Sequence, residues 1–168
     1  EGVIKVITAK DVTGNRFCGH LKKDWPALIA IGEETRYVGD AVALVVAESE
    51  EIARQASTLI KVDYEELKPL TSPKEAMEAN SPKIHSGGNI LTREVLIRGN
   101  VDEAIKNSKY VVTNHYSVPF TEHAFLEVES ALAVPTDEEL VVYTSSQSVY
   151  DDLHEITSLL GVEENKVR

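Results

Sequence analysis

Two short stretches of this 168-residue chain hold side chains able to do chemistry. The first is Glu122-His123-Ala124-Phe125-Leu126-Glu127. On a helix, His123 and Glu127 share a face, and an imidazole beside a carboxylate can bind a metal or move protons. The competing reading is a structural turn in which the imidazole satisfies backbone groups. One His and one Glu do not complete a metal site, so spacing favours the turn and neither residue is given a role. His20, His85, His115 and His154 are scattered and supply no third ligand in register, so no metal ligand is assigned. The second stretch is Thr144-Ser145-Ser146-Gln147-Ser148, between a strand pattern and a helix pattern. Such a junction turns backbone N–H groups and small hydroxyls toward solvent, a place for an anionic or oxo ligand. Gln147 can donate an amide hydrogen to an oxygen atom. Capping of the helix by Ser146 or Ser148 explains the same residues, and local chemistry alone favours capping.

The remaining candidates are weaker. Gly14 and Gly19 have the glycine spacing of a phosphate loop, but Cys18 and His20 flank the second glycine where Lys and Ser/Thr would have to follow it. The acidic runs Glu48–Glu51, Asp63–Glu66 and Asp137–Glu139 lack calcium-loop spacing and read as solvated faces and turns. The unpaired thiol of Cys18 reads as inert. A small hydrolase built on His123 has no fixed serine nucleophile and ranks last.

The elements that must position these residues follow from pattern. Val3–Thr8 is rich in β-branched residues and reads as a buried strand. Residues 15–34 read as irregular, and 36–38 as a short strand. Residues 41–47 are apolar without alternation, which predicts a strand covered on both faces. Ser49 caps a helix whose stripe is Ile52, Ala53, Ala56, Leu59 and Ile60. Residues 61–65 complete a strand–helix–strand crossover. Ser72-Pro73-Lys74-Glu75 is a capping box that starts a short helix. Residues 80–93 lack any apolar period and read as a linker. Beyond it, 95–97 predicts a strand, Asn100 caps a helix, and 109–119 alternates as a strand should. Residues 130–134 and 140–144 predict two more strands. A helix follows from Ser148 to Gly161, and residues 165–168 open a last strand.

Composition sets the outer limits. The chain is 42% hydrophobic and 27% charged, as a globular protein is, and its 28 acids against 17 bases give −11. That balance argues against nucleic acid as a partner, because phosphates need clustered Lys and Arg. It also disfavours an anionic membrane surface. The single cysteine excludes an internal disulfide and an iron–sulfur cluster held by this chain's thiolates. No apolar run approaches the roughly 18 residues of a membrane span. A cytoplasmic location is the expectation. A compact body of this size would bury about 70% of its unfolded surface.

The order of segments carries a resemblance. Gly2-Val3-Ile4-Lys5-Val6-Ile7-Thr8-Ala9-Lys10-Asp11-Val12, then Arg36-Tyr37-Val38-Gly39-Asp40-Ala41-Val42-Ala43-Leu44-Val45-Val46-Ala47-Glu48, then Val62-Asp63-Tyr64-Glu65-Glu66-Leu67 resemble the α/β hammerhead of the xanthine dehydrogenase and aldehyde oxidase family, the molybdenum hydroxylases. Gly99-Asn100-Val101-Asp102-Glu103-Ala104-Ile105, His123-x-x-Leu126-Glu127 and Thr144-Ser145-Ser146-Gln147 resemble the start of that family's molybdopterin-binding region. Ala41, Asn100 and Ser146 depart from the usual Pro, Asp and Thr.

The resemblance implies an α+β chain. Residues 1–79 would be a partial hammerhead, 80–93 a linker, and 94–168 the truncated start of the molybdopterin-binding domain. It implies oxidation of a purine, another N-heterocycle or an aldehyde at a molybdenum–molybdopterin centre, with oxygen taken from water. Electrons would leave through [2Fe–2S] clusters to FAD, on partner subunits or domains, in an oligomeric enzyme. Gln147 matches the family glutamine that hydrogen-bonds an oxygen ligand of molybdenum. The family's catalytic glutamate has no counterpart in this chain. The chain, without an initiator Met, then reads as a piece of a longer subunit, inactive alone. The alternative is a non-catalytic binding or subunit-assembly module.

Overall fold

A computed structural model describes residues 1–126 and 129–168. The chain divides into two compact units, one formed by Glu1–Leu70 with Val128–Arg168, the other by Thr71–Glu127.

The first unit is built from three small two-stranded ribbons and two helices. The β-branched run forms β1 (Val3–Ile7), which pairs antiparallel with β4 (Leu44–Ala47). The register shifts between Val3 and Lys5, a bulge in β1. Only the second half of the apolar 41–47 run becomes strand, and its side chains alternate between exposed and half-buried. Coverage of both faces is therefore not found: Leu44 and Val46 stand exposed on one face. Ser49 then caps α1 (Glu50–Ser57), its Oγ accepting the Ile52 amide at 3.3 Å.

Between these strands lies a loop that has more order than its sequence suggests. Phe17–Cys18 (β2) and Trp25–Pro26 (β3) form a two-residue ribbon. Arg16 clasps the loop from inside. Its guanidinium donates to the Leu28 carbonyl at 2.7 Å and, through both terminal nitrogens, to the Glu33 carboxylate at 2.8 and 2.5 Å. Glu33 also accepts the Ala30 amide at 2.9 Å. This clasp holds Leu28 and Ile29 in the small core. Residues 36–38 are not a strand. The Asp40 carboxylate accepts the amides of Arg36 and Tyr37, at 2.5 and 3.3 Å, and closes a turn there.

The same unit contains the chain's crossover. β5 (Ala131–Pro135) pairs antiparallel with β6 (Leu140–Thr144) through a turn in which the Thr136 hydroxyl accepts the Glu139 amide at 3.0 Å. α4 (Val149–Leu160) follows and stops at Gly161, whose φ of 68° suits a glycine C-cap. The chain passes through a 3-10 turn (Glu164–Lys166) and returns to β6, where Val167 bridges Leu140 in parallel. Val142 donates to the Arg168 carbonyl at 2.6 Å, and Arg168 donates to the Leu140 carbonyl at 2.9 Å. Val141 and Val167 are buried, as is Thr157, whose hydroxyl bonds back to the Leu153 carbonyl at 2.8 Å. A parallel pairing needs a helical crossover between its strands, and α4 supplies it. The crossover expected over 41–65 does not form, because 61–65 is not a strand. The last strand expected at 165–168 reduces to a bridge at Val167.

The second unit carries two short helices with the expected caps. Ser72 accepts the Glu75 amide ahead of α2 (Pro73–Ala76), and Asn100 accepts the Glu103 amide at 3.1 Å ahead of α3 (Val101–Asn107). Asn89 ties the glycine-rich segment together. Its amide donates to the carbonyls of Ala76 and Pro82, at 2.9 and 2.8 Å, and its oxygen accepts the Ile84 amide at 2.7 Å. The strands expected at 95–97 and 109–119 are absent. Leu96 is 99% exposed and Phe120 fully so. An alternating sequence becomes a strand only when another strand receives its hydrogen bonds, and no described segment offers these a ladder.

Burial is correspondingly shallow. Among the described residues the buried hydrophobic ones are Leu28, Ile29, Val141 and Val167.

Candidate functional site

The β6–α4 junction is a polar site in the first unit. The ladder holds one end of it: the Ser145 amide donates to the Ser130 carbonyl at 3.3 Å, and the Ser130 amide donates back to Ser145 Oγ at 3.2 Å. The helix holds the other, with the Asp152 amide donating to the Ser148 carbonyl at 3.0 Å. Between these ends the hydroxyls turn inward. Thr144 Oγ1 accepts the Ser146 amide and donates to Asp152 Oδ2 at 2.7 Å. Ser146 Oγ accepts the Ser148 amide at 3.1 Å. Ser148 Oγ donates to Asp151 Oδ2 at 2.5 Å.

This pattern corrects the capping reading. Ser148 occupies the N-cap position, but its hydroxyl donates to a carboxylate instead of accepting a helix amide. Asp151 and Asp152 place two carboxylates in the first turn of α4. They already complement the positive end of the helix dipole, so a free anion would meet like charge there. Gln147 stands apart from this network. It lies in an exposed bend, and its side-chain amide makes no hydrogen bond to a described residue. The junction therefore presents neutral donors to solvent, the Gln147 amide foremost, while the Thr144 and Ser148 hydroxyls give their hydrogens to Asp152 and Asp151. That donor set fits an oxygen ligand of a metal-bound cofactor better than a free anion, because an amide donates without adding net charge.

The other sequence candidates do not gather here. Glu127 lies outside the described residues. Its partner His123 is not on a helix, and Ala124 beside it has a φ of 53°, a turn geometry. The His123 imidazole is exposed, with Nδ1 3.8 Å from the Glu122 carboxylate, not among backbone groups. His20 lies 3.8 Å from Asp151, and His154 lies 3.4 Å from Glu164. Cys18 donates to the Trp25 carbonyl at 3.3 Å. Burial, reinforced by the Glu155 charge, pushes its thiol pKa up, as an inert thiol requires. Among the described residues no cluster of three or more His, Cys, Asp or Glu could hold a metal ion, and no helix is long and apolar enough to cross a membrane.

One feature of the site is not legible in the sequence. Residues 13–15 complete the far end of α4, donating to its last carbonyls from about 145 positions away in the chain. No local signal marks such a contact; in the sequence Gly14 shows only the glycine spacing of an incomplete phosphate loop.

With the junction at the head of a β6–α4 crossover, comparison places the chain in a family. Residues 1–68 match the aldehyde oxidase and xanthine dehydrogenase a/b hammerhead domain, and residues 84–168 match the molybdopterin cofactor-binding domain. The chain belongs to the aldehyde oxidase and xanthine dehydrogenase family. It joins hammerhead sequence to the start of a molybdopterin-binding domain, as its segment order implied. Among individual proteins it is 40% identical to a probable xanthine dehydrogenase subunit of Bacillus subtilis, over the whole of this chain and 22% of that relative. Its fold matches the aldehyde oxidoreductase of Desulfovibrio gigas at a TM-score of 0.88 and 28% identity, over 99% of this chain and 19% of that one. It matches the quinoline 2-oxidoreductase of Pseudomonas putida 86 at a TM-score of 0.84 and 26% identity, over 99% and 22%. The chain thus spans about a fifth of the length of these relatives.

Proposed function

We propose that this chain is part of the molybdopterin-binding large subunit of a molybdenum hydroxylase. Its substrate would be a purine, another N-heterocycle or an aldehyde, the range spanned by relatives named for xanthine, quinoline and aldehyde. These substrates share a carbon made electron-poor by an adjacent nitrogen or oxygen. Iron–sulfur clusters and FAD would sit on other domains or subunits of a cytoplasmic, oligomeric enzyme. Residues 1–79 would serve as hammerhead, 80–93 as linker and 94–168 as the first part of the cofactor domain.

The observation that carries this reading is the exposed Gln147 amide at the β6–α4 junction, which makes no hydrogen bond to a described residue. When bound, the molybdenum–molybdopterin group supplies the electron sink and brings water-derived oxygen to the substrate carbon. This chain's part is narrower. Gln147 would help hold that group, its amide hydrogen available to an oxygen ligand of the metal. Thr144 and Ser148 give their hydroxyl hydrogens to Asp152 and Asp151, so these two do not compete for the same oxygen.

In the cofactor-loaded enzyme, Gln147→Ala is expected to slow turnover by about ten- to a thousand-fold, its upper part the roughly hundred- to thousand-fold cost of losing one preorganised donor. Metal analysis of the same preparation checks that molybdenum is retained. An unchanged rate with full molybdenum removes Gln147 from the site. The 168-residue chain alone is expected to be inactive and to hold no molybdenum cofactor; stoichiometric molybdenum on it would overturn that expectation.

A further inference from the structure

The C-terminal end of α4 is finished by a distant loop. Helices leave their last four carbonyls without intrahelical partners. Here the Thr157 carbonyl accepts the Gly161 and Val162 amides. The other three are taken from far away in sequence. The Asn15 amide donates to the Ser158 carbonyl at 2.8 Å, and the Gly14 amide to the Leu159 carbonyl at 2.9 Å. The Thr13 hydroxyl donates to the Leu160 carbonyl at 2.6 Å. The approach is close enough to require glycine. A Cβ at Gly14 would lie 2.1 Å from the Ser158 carbonyl oxygen and 2.4 Å from the Gly161 nitrogen. These are backbone atoms, so no side-chain rotation relieves the clash.

The same loop then follows the helix toward its beginning. Lys23 pairs with Glu155 in the middle of α4, and His20 approaches Asp151 in the first turn. Asp151 is the carboxylate that holds the hydroxyl of Ser148, the residue next to Gln147.

We infer that Thr13–Asn15 is a positioning element for Gln147, with Gly14 the residue that sets the helix's axial register. The inference rests on the reading of Gln147 as the cofactor's hydrogen-bond donor. A helix of 12 residues is a rod about 18 Å long. Fixing one end against a glycine and three donors fixes the other along the same axis. The strand end of the junction is already held by the β5–β6 ladder. Gln147 therefore stands between two anchored ends, and only the helical one depends on residues 13–15. Placement of that kind matters because a misplacement of about 1 Å can cost on the order of a hundredfold in rate.

The test is hydrogen–deuterium exchange on the cofactor-loaded enzyme, following peptides over residues 145–152. Gly14→Ala is expected to speed exchange there by about tenfold through local opening, and Thr13→Val to do so by a smaller factor. Ser49→Ala, which weakens the same unit at α1, is the control. A rise in the Gly14 and Thr13 variants that the control lacks supports the clamp. No rise, or an equal rise in Ser49→Ala, overturns it. If Gly14→Ala does not fold, Thr13→Val against the control decides. Gln147→Ala is scored separately by turnover. An unchanged rate there with a selective rise here would sink the cofactor reading of Gln147 while leaving the clamp on α4 in place.

Discussion

Residues 140–167 and residues 109–119 begin from similar sequence material, yet only one becomes a sheet. Both hold alternating or β-branched apolar residues. In the first, β6 has β5 on one side and Val167 on the other, and Val141 is buried between them. In the second, Val112 and Tyr116, and Phe120 just beyond, lie exposed on backbone with no ladder. The difference is the presence of partners. A hairpin turn at Thr136–Glu139 and a helical return through α4 bring strands together from nearby in the chain. No described segment does this for 109–119. Pattern supplies a strand's side chains, and topology supplies its hydrogen bonds.

The largest effect that separates the ordered regions from the exposed one should come from core truncation. Leu28, 4% exposed inside the Arg16–Glu33 clasp, is expected to lose about 2–5 kcal/mol as Leu28→Ala. Val112→Ala in the exposed segment is expected to stay within about 0.5 kcal/mol. Chemical denaturation of the two variants measures both. A Val112→Ala loss equal to that of Leu28→Ala would mean that 109–119 packs after all.

A middle-sized effect tests the crossover itself. Gly161 holds a φ of 68° with Gly14 Cα 3.2 Å from where its Cβ would be. Gly161→Ala is expected to cost about 1–2 kcal/mol for the left-handed residue. The signature would be fraying of the α4 end and loss of the Val167 bridge, visible in amide exchange of 157–168. If 157–168 keeps wild-type exchange, the left-handed cap is not what turns the chain back to β6.

The smallest effect is acid sensitivity. The Arg16 guanidinium, helped by the Ala30 amide, holds the Glu33 carboxyl below the usual carboxylate range. The Thr8 amide, with Lys5 and the Thr8 hydroxyl behind it, does the same for Asp11. Both folded-state pKa values lie below the unfolded ones, so each contribution is complete above the unfolded value. Each is lost as pH falls through the folded one. The first unit should therefore weaken below about pH 4. Glu33→Gln should flatten part of that slope and leave the Asp11 share. An acid profile identical to wild type in Glu33→Gln would show that the clasp does not depend on charge.

Legibility in the sequence follows the range of the interaction. The caps at Ser49, Ser72, Asn100 and Gly161 are readable because capping depends on residues within one turn. The β5–β6 hairpin is readable because its turn is local. The strands expected at 36–38, 61–65, 95–97 and 109–119 do not form, because pairing is a property of two segments and the sequence shows one at a time. Ser148 is not the capping acceptor its position suggests: its hydroxyl turns to Asp151, three residues on, and donates to it.

The sequence by itself determined the family, through the order of its segments, and placed Gln147 at a strand–helix junction. It also set the caps and the turn residues. Only the tertiary structure decided that the Gln147 amide has no hydrogen bond to a described residue while the Thr144 and Ser148 hydroxyls are given to Asp152 and Asp151. Only there does the crossover shift to β6–α4–Val167, and only there does Gly14 meet the end of α4. The reason is physical. Caps and turns are fixed by hydrogen bonds that reach three or four residues, whereas the orphan carbonyls of a helix end can be met by any donor the fold brings within about 3 Å.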